Sequence, residues 1–88
     1  MKYYYSTMDG IVLTHSDIKD GELGRSVRFR FERPSASGFD FAEGILPERT
    51  ILKSYGFSED ELLAFDSYLR DNLFLIWEYA QKGGGLNA

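Results

Sequence analysis

Residues 27–32 alternate strictly between apolar and charged side chains and read Val-Arg-Phe-Arg-Phe-Glu. Successive side chains of a β-strand point to opposite faces, so this pattern predicts a strand with one apolar and one charged face. Residues 39–42 (Phe-Asp-Phe-Ala) alternate in the same way. The segment 34–38 between them holds Pro, two Ser and Gly and predicts a turn.

Pairing of these two segments predicts which side chains meet. We expect four phenylalanines on the buried face: Phe29, Phe31, Phe39 and Phe41. Asp40 would then lie near Arg28 or Arg30 on the exposed face, where a cross-strand ion pair contributes up to about 1 kcal/mol. Gly44 is expected to end the sheet.

A β-hairpin is predicted before these strands. Residues 2–6 are rich in Tyr, and residues 11–14 are β-branched and apolar. The intervening turn, residues 7–10, contains Asp9-Gly10, a pair that accepts positive φ. Residues 16–24 hold two Gly and three acidic residues and predict a loop.

Two helices are predicted after the sheet. Pro47 suits the first turn of a short helix over residues 48–55, and Gly56 suits its end. Ser58 and Glu61 have the spacing of a capping box, which predicts the start of a long helix that extends to about Lys82. Its buried face follows from helical spacing: Leu62, Phe65, Leu69, Leu73, Ile76 and Ala80.

The predicted fold is α+β, in the order ββββαα, with about four antiparallel strands packed against the long C-terminal helix. The chain has 88 residues, of which 43% are apolar, enough for one hydrophobic core. We therefore predict a single domain over residues 1–82 and a flexible tail over residues 83–88.

Catalytic chemistry is not indicated by the residues present. His15 is the only histidine, cysteine is absent, and no nucleophile-elbow motif occurs. The carboxylates cluster at the helix cap and on faces that we expect to be solvated. We therefore expect no enzyme, no catalytic residue, no metal site, no cofactor and no small-molecule substrate.

The location of the protein is predicted from what the sequence lacks. The N-terminal residues have no apolar run typical of a signal peptide, and no stretch approaches the roughly 20 apolar residues of a membrane span. We expect a cytoplasmic protein without membrane contact.

A protein-binding surface is predicted on the C-terminal half of the long helix. Several apolar side chains lie off the buried stripe, so this half is apolar over much of its circumference. The predicted partner-binding residues are Phe74, Leu75, Trp77 and Tyr79. Burial in the core is an equal alternative for Trp77. We expect either a homodimer or a complex with a protein partner.

Nucleic-acid or anion binding is the alternative function. Four arginines fall within residues 25–33, namely Arg25, Arg28, Arg30 and Arg33. They could contact phosphate groups, or they could form a solvated face balanced by neighbouring acids. The net charge of −4 lies entirely in residues 54–88, so the arginine-bearing strand is not itself in an acidic region.

The order of several motifs resembles a compact bacterial family of domains of unknown function. The matching segments are Gly10-Ile11-Val12, Arg28-Phe29-Arg30-Phe31, Glu43-Gly44-Ile45-Leu46-Pro47 and a helix ending in Ile76-Trp77-Glu78-Tyr79-Ala80-Gln81-Lys82-Gly83. The resemblance, over about residues 10–83, implies this order of elements and a role in a toxin–antitoxin-like gene pair. Arg28 and Arg30 stand where that family has two histidines, so the resemblance implies no role for an imidazole pair in this chain.

Overall fold

A computed structural model describes residues 2–22 and 24–83 of the chain. It contains six β-strands and one α-helix in the described residues. The strands are β1 (Tyr3–Met8), β2 (Ile11–His15), β3 (Lys19–Gly21), β4 (Gly24–Ser35), β5 (Gly38–Leu46) and β6 (Thr50–Tyr55), and the helix is α1 (Glu59–Gln81).

Five of the strands form an antiparallel meander in the order β1-β2-β4-β5-β6, and β3 pairs only with the start of β4. Helix α1 packs against one face of this sheet through the buried Phe65, Leu69 and Ile76. The α+β class and the antiparallel sheet are confirmed, while the expected four strands and two helices are corrected to six strands and one helix.

The first hairpin forms where the sequence predicts it. Asp9 and Gly10 connect β1 to β2 with φ values of 53° and 77°. Two successive residues with positive φ match the right-handed twist of the flanking strands, which is why Asp-Gly favours this turn.

The predicted short helix over residues 48–55 is wrong. Residues 47–49 form a turn, and Thr50–Tyr55 is strand β6, paired with β5. Arg49 has φ of 61°, a left-handed conformation that does not continue an α-helix. Pairing with β6 also satisfies backbone groups of β5 that a helix would have left unpaired.

Two further boundaries differ from the prediction. Residues 16–24 are not entirely a loop, because Lys19–Gly21 pairs with Gly24–Ser26 as a short hairpin. Gly44 does not end the sheet, since β5 continues to Leu46.

The register between β4 and β5 determines the core. Phe29 lies opposite Gly44, and Phe31 lies opposite Ala42. The buried face of β5 is therefore Asp40, Ala42, Gly44 and Leu46, and the expectation that Phe39 and Phe41 share the core with Phe29 and Phe31 is wrong. Small residues on β5 leave room for the large rings of β4, so the two strands fit each other in volume.

Helix α1 follows the sequence prediction closely. Ser58 and Glu61 form the capping box, and the predicted stripe faces the sheet. The ring of Phe65 stacks on that of Phe31, with 4.1 Å between the centroids. Of the predicted tail, residues 84–88 lie outside the described residues.

Candidate binding surfaces

The face of the sheet opposite α1, which we call the uncovered face, has a row of side chains running straight across the strands. Cross-strand pairing places Tyr4 beside Thr14, Thr14 beside Arg30, Arg30 beside Glu43, and Glu43 beside Lys53. Because side chains alternate along each strand, all of this row projects away from the helix.

A second row on the uncovered face, which we call the aromatic row, contains Phe39, Phe41 and Tyr55 next to Val12 and Glu32. Val12 lies beside Glu32, Glu32 beside Phe41, and Phe41 beside Tyr55. Tyr55 is 58% exposed, and Phe39, one alternation further along β5, is 56% exposed. Exposed aromatic side chains on one face are typical of binding surfaces rather than of solvated sheets.

The carboxylates on this face are paired with cations. Arg30 donates to Glu43 across 2.7 Å and lies 3.2 Å from Glu32, and its guanidinium is 4.5 Å from the centroid of the Phe41 ring. The face carries Lys2, Lys19, Arg28, Arg30 and Lys53 against Glu32 and Glu43, an excess of three positive charges. It is therefore basic although the chain is acidic.

A cleft of about 250 Å³ lies at one end of the uncovered face. Among the residues that line it are the four cations Lys2, Lys19, Arg28 and Arg30 and a single carboxylate, Glu43. Within residues 2–22 and 24–83, Lys19 and Arg28 make no ion pair. Of the four cations that line the cleft, Lys19 and Arg28 are therefore the two that could bind a ligand without breaking an ion pair.

The four arginines proposed from the sequence do not lie on one surface. Only Arg28 and Arg30 project from the uncovered face, while Arg25 lies in the β3–β4 hairpin, 3.4 Å from Asp20. Arg33 projects from the opposite face, beside the start of α1. Strand alternation already separates positions 25 and 33 from 28 and 30, so this division could have been predicted from parity alone.

Arg33 joins the sheet to the helix. It donates to Asp40 across 2.8 Å and to Glu61 across 2.5 Å, and its guanidinium covers the ring of Phe57. The expected contact of Asp40 with Arg28 or Arg30 is therefore wrong, because Asp40 is on the helix side of β5. The hydrogen bond from Arg33, followed by that from the Ser58 amide, lowers the pKa of Glu61 below its ordinary 4.5.

The outward side of α1 has exposed apolar side chains among polar ones. Phe74 is 75% exposed and Leu63 is 67% exposed, the two highest values among the large apolar residues of the described segments. Leu75 is 44% exposed. Trp77 and Tyr79 are half-buried: Trp77 packs against the core, and the Tyr79 ring lies 6.0 Å from that of Tyr5.

The side chain of His15 is buried among backbone and aromatic rings. Its side chain is 2% exposed, its Nδ1 lies 2.8 Å from the carbonyl oxygen of Ser16, and its ring approaches those of Tyr3 and Tyr5. The Nδ1 contact favours the tautomer that donates from Nδ1. Its Nε2 has no partner in the described part of the chain.

Sequence reasoning missed the aromatic part of the uncovered face. Alternation at 39–42 places Phe39 and Phe41 on one face of β5 without saying which. The signal that decides it is the run of small residues at the other parity, Ala42 and Gly44, because only small side chains fit opposite the two rings of β4.

Comparison with known proteins adds no relative: no family model, no curated protein and no solved structure matches the chain. No helix in residues 2–22 and 24–83 is long and apolar enough to cross a membrane. Those same residues contain no group of three or more His, Cys, Asp or Glu side chains arranged to hold a metal ion.

Proposed function

We propose that this chain is a protein-interaction domain that pairs with a second copy of itself through the outward side of α1. The observation that carries the proposal is the exposure of Phe74 and Leu63 on one side of a well-capped helix. Binding of a partner that covers an exposed apolar side chain on a rigid helix is favourable, because it removes that apolar surface from water.

The spacing of the exposed residues along this side of α1 is compatible with pairing to a second copy of the chain. Leu63, Ser67, Arg70 and Phe74 are separated by four, three and four residues, so they form one stripe along the helix. All four are exposed. Antiparallel pairing of two such stripes would bring Leu63 of each copy against Phe74 of the other, about 16 Å apart along each helix.

The middle of the stripe is also compatible with self-pairing. Ser67 is small and allows close approach of two helices, and Arg70 lies beside Asp71 at 3.6 Å. The neighbouring Asp71 offsets part of the charge that Arg70 would bring to the second copy.

Sedimentation velocity over a range of protein concentrations tests this pairing. We expect reversible dimerisation by the parent chain and a monomer for Phe74→Glu and for Leu63→Glu, since a carboxylate cannot be buried without a partner. Phe39→Glu, an equivalent change on the uncovered face, should leave the dimer intact.

A parent chain that remains monomeric at the highest concentration would contradict self-association. Dimerisation that survives Phe74→Glu but is lost in Phe39→Glu would contradict the assignment to the helix.

A further inference from the structure

We infer that the uncovered face binds single-stranded nucleic acid, with phosphate groups at the basic cleft and unpaired bases on the aromatic row. This function is separate from pairing through α1, because the two surfaces lie on opposite sides of the sheet.

Charge supplies the first part of the inference. The chain as a whole has a net charge of −4, yet the uncovered face carries an excess of three positive charges. The acidic residues of α1 lie beyond the other face, so the molecule presents one basic side. A local basic surface attracts a polyanion even on an acidic protein.

The cations of the cleft differ in whether a carboxylate already pairs with them. Arg30 is held by Glu43 and Glu32, whereas Arg28 and Lys19 have no carboxylate partner in the part of the chain that the structure describes. A phosphate at the cleft would contact these two without displacing an ion pair. Guanidinium and ammonium groups are the donors that phosphate oxygens prefer.

Aromatic side chains supply the second part. Phe41 and Tyr55 are cross-strand neighbours, and Phe39 lies beside them on the same face. The row lies about 13 Å along β4 from Arg28, four residues at the rise of a β-strand. A strand of a few nucleotides could therefore place a phosphate at the cleft and bases on the rings.

This combination distinguishes nucleic acid from an acidic peptide. Both ligands would contact Arg28 and Lys19, but only unpaired bases would gain by stacking on the exposed rings of Tyr55 and Phe39. The same requirement separates single strands from duplexes, whose bases are already stacked on one another. Single-stranded nucleic acid is therefore the ligand that would contact both the basic cleft and the aromatic row.

Fluorescence anisotropy with a labelled oligo(U) of eight nucleotides and the full chain tests the inference at two salt concentrations. We expect measurable binding at low salt, weaker binding to a duplex of the same length, and weaker binding as salt rises. The association constant K falls as salt rises, and Arg28→Ala and Lys19→Ala should each make the slope of log K against log salt less negative by about 0.7. This is the value for one phosphate contact on a single strand.

The aromatic row is tested by Tyr55→Ala, which should weaken binding by about 5- to 150-fold, the range for loss of one stacked base. Arg25→Ala is the matched control, because Arg25 lies outside the face and near Asp20. It should bind like the parent chain. Phe74→Glu, the variant expected to be monomeric, should also bind oligo(U) like the parent. Failure of dimerisation and failure of nucleic-acid binding can therefore be distinguished.

Three outcomes would overturn the inference. One is no binding of oligo(U) at about 100 µM protein in low salt, the weak end of non-specific affinity. Another is equal loss in Arg25→Ala and Arg28→Ala. The third is binding of poly-glutamate, with the same dependence on Arg28, but not of oligo(U), which would assign the face to an acidic protein. Thermal melting of every variant establishes that each one is folded.

Discussion

At the scale of single residues, the absence of a side chain at Gly44 lets β5 lie close to β6 and to the ring of Phe29 in β4. A Cβ at this position would clash with the Thr50 carbonyl oxygen and come within 2.8 Å of Cζ of Phe29. Both neighbours are held firmly, one as β6 backbone and the other in the core. We expect Gly44→Ala to destabilise the domain by at least about 2 kcal/mol through overpacking.

Urea denaturation gives the measurement for this prediction, and Gly21→Ala gives its control. Among the described residues, a Cβ at Gly21 would meet only the Gly24 carbonyl oxygen, at an ordinary 3.7 Å, so this second change should alter the free energy of unfolding by less than about 0.5 kcal/mol. Equal stability of the two variants would show that β5 does not approach β6 and Phe29 as described.

At the scale of elements, the pair Arg33–Glu61 connects the first turn of α1 to β4. The pKa of Glu61 is lowered in the folded state, so the pair stabilises the fold above the ordinary pKa of 4.5, and this contribution is lost as pH falls through the lowered pKa. Glu61→Gln keeps a capping side chain but removes the charge. We expect it to be less stable than the parent at pH 7 and to lose the difference in acid.

Thermal melts between pH 7 and pH 2 measure this difference. Glu59→Gln serves as the control because Glu59, in the same helical turn, makes no ion pair within the described residues. A constant gap between the parent and Glu61→Gln at every pH would mean that the ionised form of Glu61 is not selectively stabilised.

At the scale of the whole molecule, sheet and helix share one core and should unfold together. Phe65 connects the two layers by stacking on Phe31 and by an edge contact with Phe57. We expect Phe65→Ala to cost about 3–5 kcal/mol. A domain of this length is stabilised by about 4–13 kcal/mol in total, so the variant should be close to unfolding.

Circular dichroism follows the secondary structure, and the fluorescence of Trp77, the only tryptophan, follows the packing of α1 against the core. Both transitions should move to lower temperature by the same amount. Gln81→Ala, at an exposed position of the same helix beyond the segment between Leu63 and Phe74, should shift neither. A fluorescence transition that stays in place while the dichroism transition moves would mean that the packing around Trp77 and the secondary structure are not lost in one cooperative step.

Much of the fold is determined locally and is visible in the sequence. The alternation at 27–32 defines the central strand, Asp9-Gly10 defines the first hairpin, and Ser58 with Glu61 defines the start of α1. Each of these signals depends on side chains within a few residues of one another. The helix stripe is of the same kind, and all six of its predicted members face the core.

Other features are decided only by contacts between distant segments. Residues 47–55 carry signals compatible with a short helix, and the need of β5 for a pairing partner makes them a turn and a strand instead. Residues 19–21 become a strand only because β4 extends far enough to pair with them.

Period-two alternation in the sequence places Phe39 and Phe41 on one face of a strand, and Arg28 and Arg30 on one face of another. The packing of β4 against β5 and α1 makes these two faces the same one, open to solvent and opposite the helix. The physical reason is volume: period-two alternation fixes which side chains lie together but not which set is buried. The fit of Phe29 over Gly44 and of Phe31 beside Ala42 makes that choice.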